Sequence, residues 1–216
     1  EREPFDVTAF ADNRQSPILG DGLEGVVGGF NTWSEAGDST TLSAFNSVGF
    51  DHWGAESFRE RWTLQLEHRR WIGGSGAAVT GRALWSESRP GDRVRDFDIS
   101  GTQGELEARL DWPAIRSRAL SVSLSTGLNV VEIDNVTPGA PIGAVSVGGE
   151  VRPIQDLVVD ESLRVLFFGA EAVRRDALGA TEASLELRRG LALLGATQAG
   201  DPERSREDGT GLFWSL

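Results

Sequence analysis

The chain has 216 residues, 39% of them hydrophobic, a formal net charge of −12 and no cysteine. That charge excludes nucleic acid as the main partner, since phosphates need a basic face, and the missing cysteine excludes a disulfide framework and thiolate metal ligands. No run approaches the roughly 20 apolar residues of a spanning helix, so a membrane could be crossed here only by strands, in which every second residue need be apolar.

Strict alternation is the mark of a strand with two different faces, and it recurs along the chain. Segments 5–12, 23–33 and 40–45 show it weakly, diluted by Gly and Ala. Trp62, Leu64 and Leu66 then alternate with Arg61, Thr63, Gln65 and Glu67. Segment 77–85 is again diluted, and Leu106, Ala108, Leu110 and Trp112 alternate with Glu105, Glu107, Arg109 and Asp111. Leu120, Val122, Leu124, Leu128 and Val130 alternate with Ser121, Ser123, Ser125, Gly127 and Asn129. Segment 163–172 is a further weak case; Ala183, Leu185 and Leu187 alternate with Glu182, Ser184, Glu186 and Arg188. Nine strands result, and 213–216 starts a tenth.

Clusters of Gly, Pro, Asp and Ser between these runs are alternately short and long. The short connectors are 34–40, 71–76, 111–118 and 174–181; the long ones are 13–22, 46–57, 86–101, 132–162 and 195–211. A meander with tight turns at one end and long loops at the other has the form of a bacterial outer-membrane barrel. A soluble antiparallel sheet gives the same alternation, but its strands average about 5–6 residues, whereas a tilted membrane strand needs roughly 9–11. The expected fold is therefore all-β, an antiparallel meander of about nine to ten strands forming part of an outer-membrane transmembrane β-barrel across residues 1–216. Phe30, Trp33, Phe50, Trp53, Trp71, Trp85, Phe97 and Trp112 gather near strand ends, as an interfacial girdle requires.

In such a barrel the apolar set faces lipid and the charged set faces the lumen. The expected lumen wall, and with it a translocation path, carries Arg61, Glu67, Arg69, Glu105, Glu107, Arg109, Asp111, Arg164, Glu182, Glu186 and Arg188. Arg189 falls in the lipid-facing register, where an Arg costs about 2–4 kcal/mol at the midplane and far less near an interface. Either it snorkels, or a bulge at Arg188-Arg189-Gly190 shifts the register; the adjacent glycine favours the bulge.

No catalytic constellation stands out. His52 beside Asp51 fits an omptin-like protease only superficially, and His68 lies near a strand end. The acidic loop 201–208 lacks the fixed oxygen spacing of a calcium site. Gly28-Gly29 and 73–76 open no helix and so are no phosphate loops. No enzyme activity, metal or cofactor is expected.

Five segments in order resemble the barrel of the two-partner-secretion transporters, the haemolysin secretion/activation proteins of the Omp85 superfamily. They are 11–20 (ADNRQSPILG), 37–47 (GDSTTLSAFNS), 112–128 (WPAIRSRALSVSLSTGL), 161–191 (ESLRVLFFGAEAVRRDALGATEASLELRRGL) and 200–213 (GDPERSREDGTGLF). The resemblance implies an outer-membrane translocator that secretes or activates a large haemolysin- or adhesin-like exoprotein. It also implies two periplasmic POTRA domains earlier in the same parent chain, a barrel of about sixteen strands, and a later loop with a Val-Arg-Gly-Phe/Tyr motif. This chain carries neither the POTRA sequence nor that motif, and Glu1-Arg2-Glu3-Pro4 looks like a POTRA-to-barrel junction. It is thus expected to be the first part of a barrel, with exoprotein and outer-membrane lipid as partners. The alternatives are a passive porin-like channel, an omptin-like barrel protease and a soluble β-rich binding module.

Overall fold

The structure is a computed structural model that describes residues 4–13, 22–31, 37–48, 60–90, 98–138, 144–147, 150–153, 156–177, 179–198 and 212–215. The strands are β1 (Phe5–Asp12), β2 (Gly22–Asn31), β3 (Ser39–Val48), β4 (Arg61–Ile72), β5 (Ala77–Ser88), β6 (Ser100–Arg116), β7 (Leu120–Pro138), β8 (Ala144–Val147), β9 (Glu150–Pro153), β10 (Asp156–Asp176), β11 (Gly179–Gly190) and β12 (Leu212–Ser215). Ten of them form one antiparallel sheet in the order β1-β2-β3-β4-β5-β6-β7-β10-β11-β12, and β8 and β9 pair only with each other. Sequence neighbours are spatial neighbours throughout, apart from the β8–β9 hairpin set between β7 and β10.

Turn chemistry closes the short end. Between β4 and β5, Gly73 (φ 59°) and Gly76 (φ 79°) take left-handed conformations that a side chain disfavours. Between β6 and β7, Ser117 N–H donates to Leu120 O at 2.9 Å and Leu120 N–H donates to Ser117 Oγ at 2.9 Å. The connections at the opposite end are all longer, so the expected rhythm of tight turns and long loops is present.

The two faces of the sheet differ in chemistry. One rung reads Gly28, Leu42, Leu66, Ala83, Leu106, Val130. The adjacent rung, on the other face, reads Thr41, Glu67, Arg82, Glu107, Asn129. Among the described residues the apolar face is open except at Arg164, which the stretch after β11 reaches through the Leu194 carbonyl: Leu106 is 60% exposed, Trp112 55% and Leu166 47%. Among the described residues the buried apolar side chains are only Ala78 and Phe167, both on the charged face, and Ala196, beyond β11. A soluble sheet would pack Leu106, Leu124 and Leu185 into a closed interior; Leu106 and Leu185 instead stand exposed on the open apolar face, and Leu124 shares it.

Three boundaries differ from expectation. The strand expected to end near 132 continues to Pro138 as β7, and its partner β10 begins at Asp156, so both ends of the long loop 132–162 are ladder and the β8–β9 hairpin lies between them. Alternation masks this, because the side-chain chemistry changes phase at Val130-Val131 while the register does not. The connector expected at 111–118 is mostly strand: β6 passes through Pro113 by means of a bulge between Pro113 and Ile115, the place in a ladder that tolerates a missing N–H. The connector expected at 174–181 contracts to two residues between Asp176 and Gly179.

Candidate functional site on the charged face

The charged face is built from cross-strand rungs. Arg61 lies between Ser47 and Ser88. Glu67, Arg82, Glu107 and Asn129 form one rung, and Arg69, Thr80, Arg109, Gly127, Phe167 and Arg188 form the next towards the short turns. Below them come Asp111, Ser125, Gly169 and Glu186, and further along Arg116, Ser121, Val173 and Glu182. Ten of the eleven expected residues thus share one face, and Arg164 does not.

Three arginines of this wall, Arg82, Arg109 and Arg188, are paired with carboxylates of the same wall. Arg82 Nη2 binds Glu105 Oε1 and reaches Glu107 Oε2 at 3.4 Å. Asn129 Nδ2 donates to Glu105 Oε1 at 2.9 Å, tying β5, β6 and β7 together. Arg109 Nε donates to Asp111 Oδ1 at 2.8 Å, and Arg188 Nε to Glu186 Oε1 at 2.5 Å, each pair two residues apart on one strand. The Arg69 guanidinium lies 4.9 Å from the Trp71 ring centroid. These pairs are partly exposed and add little stability; within each, opposite charges offset one another locally. Glu67, Arg69, Thr80, Arg82, Glu107, Arg109, Asp111 and Glu171 line a recess of 540 Å³ on it.

Arg82 and Asn129 are central to this network; alternation puts Asn129 in the polar set of its strand but gives neither as a residue of the charged wall. Arg82 sits in the Gly/Ala-diluted strand 77–85, and Asn129 is uncharged. The signal was the parity of Arg82 with Thr80 and against Val79, Ala83 and Trp85. Phe167, 4% exposed, lies along the same wall over Gly127, where a Cβ would strike both its ring and the Ala108 carbonyl oxygen. Glycine is what lets a large ring lie flat there.

Arg164 is a correction. It pairs with Val130 and is in step with Leu166 and Phe168, on the apolar face. Its charge is met locally: Nη2 lies 2.6 Å from Glu132 Oε1 and donates to Leu194 O at 3.1 Å, and Nη1 donates to Leu163 O at 3.0 Å. Leu194 belongs to an excursion of the chain after β11, anchored by Leu191 N–H to Arg164 O and Thr197 N–H to Ser162 O, both 2.8 Å. Arg189 is the second correction. The β10–β11 register runs unbroken through Leu166↔Arg189 to Val165↔Gly190, so no bulge occurs at that step and Arg189 stays exposed on the apolar face. The chain bulges out only beyond Gly190.

Of the expected girdle, Phe30, Trp85 and Trp112 lie on the apolar face, with Trp62, whose Nε1 donates to Glu87 Oε2 at 3.0 Å. Trp71 is on the charged face, opposite Ala78. His68 lies on the apolar face, its Nδ1 2.8 Å from Thr40 Oγ1. Trp33, Phe50, Asp51, His52, Trp53, Phe97 and the acidic loop 201–208 fall outside the described residues.

No protein-family model matches the sequence, and comparison with curated proteins gives no significant match. Among solved structures the chain is similar to CdiB from Escherichia coli, with a TM-score of 0.67 at 16% identity over 93% of this chain and 34% of that one. The fold is an all-β antiparallel meander similar to part of the CdiB barrel. The chain spans about a third of that protein's length, and the shared part is the antiparallel meander just described.

Proposed function

We propose that this chain is part of an outer-membrane translocator that exports a large exoprotein by two-partner secretion. The observation that carries the reading is the single-layer sheet with one open apolar face and one charged face of both signs, on which Arg82, Arg109 and Arg188 are paired with Glu105, Glu107, Asp111 and Glu186. The apolar face suits lipid. The paired wall suits a path that an unfolded chain must cross without being held, since a field of one sign would bind cargo or reject it. The fold shared with CdiB, a two-partner secretion transporter, and the five ordered segments in the sequence support the same reading.

Arg61, Glu67, Arg69, Glu105, Glu107, Arg109, Asp111, Glu182, Glu186 and Arg188, joined by Arg82 and Asn129, line the path in this proposal. β1 and β12 are the outer strands of the sheet. Unpaired edges are untenable in lipid, so further strands of the parent protein close the barrel. POTRA domains of the same parent receive the exoprotein on the periplasmic side. The protein acts without catalysis, metal or nucleotide.

The test is export of the exoprotein from cells carrying the parent protein. Deleting the periplasmic region should abolish export while the barrel stays in the outer membrane and still migrates differently on unheated gels. Asp51→Ala and His52→Ala should leave export intact. A peptidase activity of the purified parent that disappears in the His52 variant would overturn the proposal in favour of a protease.

A further inference from the structure

After β11 the chain makes a tight turn that carries apolar side chains outward. Ala196 N–H donates to Leu193 O at 3.1 Å, with Leu194 at φ 54° and Gly195 at φ 77°. Two successive positive φ values mark a type I′ turn, whose first corner favours Asn, Asp or Gly. A leucine there is strained. It is also the most exposed large apolar side chain among the described residues, at 72%, and Leu193 beside it is 44% exposed. In water, asparagine at this corner would remove both costs.

The turn is held firmly to the sheet. Leu191 N–H donates to Arg164 O, Thr197 N–H to Ser162 O, and Ser162 N–H to Thr197 Oγ1, all at 2.8 Å. Arg164 Nη2 donates to Leu194 O at 3.1 Å. The bonds to Leu193 O and Leu194 O satisfy the two carbonyls at the tip, as a medium without water requires. Arg164 projects from the apolar face, so the turn sits on that face. It sits where the outward chemistry changes. Towards the short turns Leu128, Leu166 and Phe168 face outward; towards the long loops come Glu132, Asp134 and Asp160, all three exposed. Arg164 itself is 9% exposed and meets Glu132 at 2.6 Å.

We infer that Leu193 and Leu194 form an anchor that enters the bilayer hydrocarbon of the leaflet on the long-loop side, with the Arg164–Glu132 pair as its polar base. Burial in an apolar medium turns the exposed leucine from a cost into a gain and offsets the strain of its corner. Lipid is the occupant because the turn continues the open face of Leu166 and Phe168 and stops at the same rim of carboxylates. The inference rests on the outer-membrane reading of that face. It adds a lipid contact that no strand supplies, fixed at the level where the sheet passes from hydrocarbon to water.

The sequence has no cysteine, so single cysteines placed in it report on one position, once any elsewhere in the parent are replaced. Leu193→Cys and Leu194→Cys, labelled with a nitroxide in the full parent protein in phosphatidylcholine vesicles, should meet oxygen and be shielded severalfold from a water-soluble nickel chelate. Leu166→Cys should behave alike and Asp134→Cys should not. Chelate access at position 194 equal to that of Asp134→Cys would overturn the inference. Shielding from both reagents would overturn it too, because protein would then cover the turn. The cover would be residues 199–211 if their deletion restores access, or a second copy if dilution with lipid does. A second measurement uses the sign of an effect. Leu194→Asn suits the turn better and lipid worse, so the parent carrying it should unfold from vesicles in urea about tenfold faster, the order expected for withdrawing one leucine from an apolar medium. Leu194→Met should unfold like the parent. A turn that serves the fold alone would be steadied by asparagine, so an unchanged or slower rate would sink the anchor. Heat-modifiable mobility of the same variants reports insertion separately. A barrel that never inserts takes down the membrane reading and the anchor with it, whereas an inserted barrel with a wet turn removes the anchor alone.

Discussion

Two arginines on the apolar face show how one side chain's cost depends on what surrounds it. Arg164 is 9% exposed and bound to Glu132 and two carbonyl oxygens, whereas Arg189 is exposed in line with Leu166. Arg164→Leu leaves Glu132 and the Leu194 carbonyl without their partner. Because Glu132 is half exposed and water can recover part of its solvation, the expected loss is about 1–2 kcal/mol. Arg189→Leu removes an exposed charge from a hydrophobic surface and should be neutral or stabilising. Urea unfolding of the refolded parent barrel checks both, and equal effects would show that the excursion over Arg164 contributes nothing. At mid-strand, Leu124→Arg puts a charge on the apolar face and should impair assembly by about 2–4 kcal/mol, while Ser123→Arg on the charged face should be tolerated. Heat-modifiable mobility of the two variants is the readout.

Elements meet most closely where β6, β7 and β10 run side by side. Gly127 sits between Arg109 and Phe167 in the ladder, and a Cβ there meets both the Phe167 ring and the Ala108 carbonyl oxygen. Gly127→Val should destabilise the barrel by about 1–3 kcal/mol, the usual cost of forcing volume into a filled site. Adding Phe167→Ala should restore only part of that loss, since the contact with the Ala108 backbone remains; full rescue would mean the ring alone sets the spacing. The bulge after Pro113 works on the same scale. It turns Ile115 to the apolar face opposite Val122 and Arg116 to the charged face opposite Ser121, so both keep their proper sides near the short turns despite a change of sequence parity.

For the molecule as a whole, stability cannot come from a core, because the described residues bury almost none. It comes from the ladder and from whatever covers the apolar face. In water that face is a liability; in lipid it is the driving surface. The parent barrel should therefore refold in detergent micelles or lipid vesicles and precipitate when the detergent is diluted away. Persistence as a dispersed, folded monomer in plain buffer would return the chain to the soluble reading.

The sequence by itself determined the all-β class, the order of the meander, the alternation of tight and long connections, and the side taken by Arg61, Glu67, Arg69, Glu105, Glu107, Arg109, Asp111, Glu182, Glu186 and Arg188. All of these follow from local periodicity: a strand repeats every two residues, and charge marks one parity plainly where glycine and alanine do not dilute it. The charge of Arg164 does not report its face. Its side is set by the pairing with Val130, and its charge is met by Glu132 and by the Leu194 carbonyl, which lies thirty residues further along. The outer parts of β7 and β10 look like loop in the sequence because their chemistry changes phase, and only pairing across the hairpin holds them in one ladder. Tertiary structure decided what lies opposite what, because register is a relation between strands, and no single strand's pattern contains it.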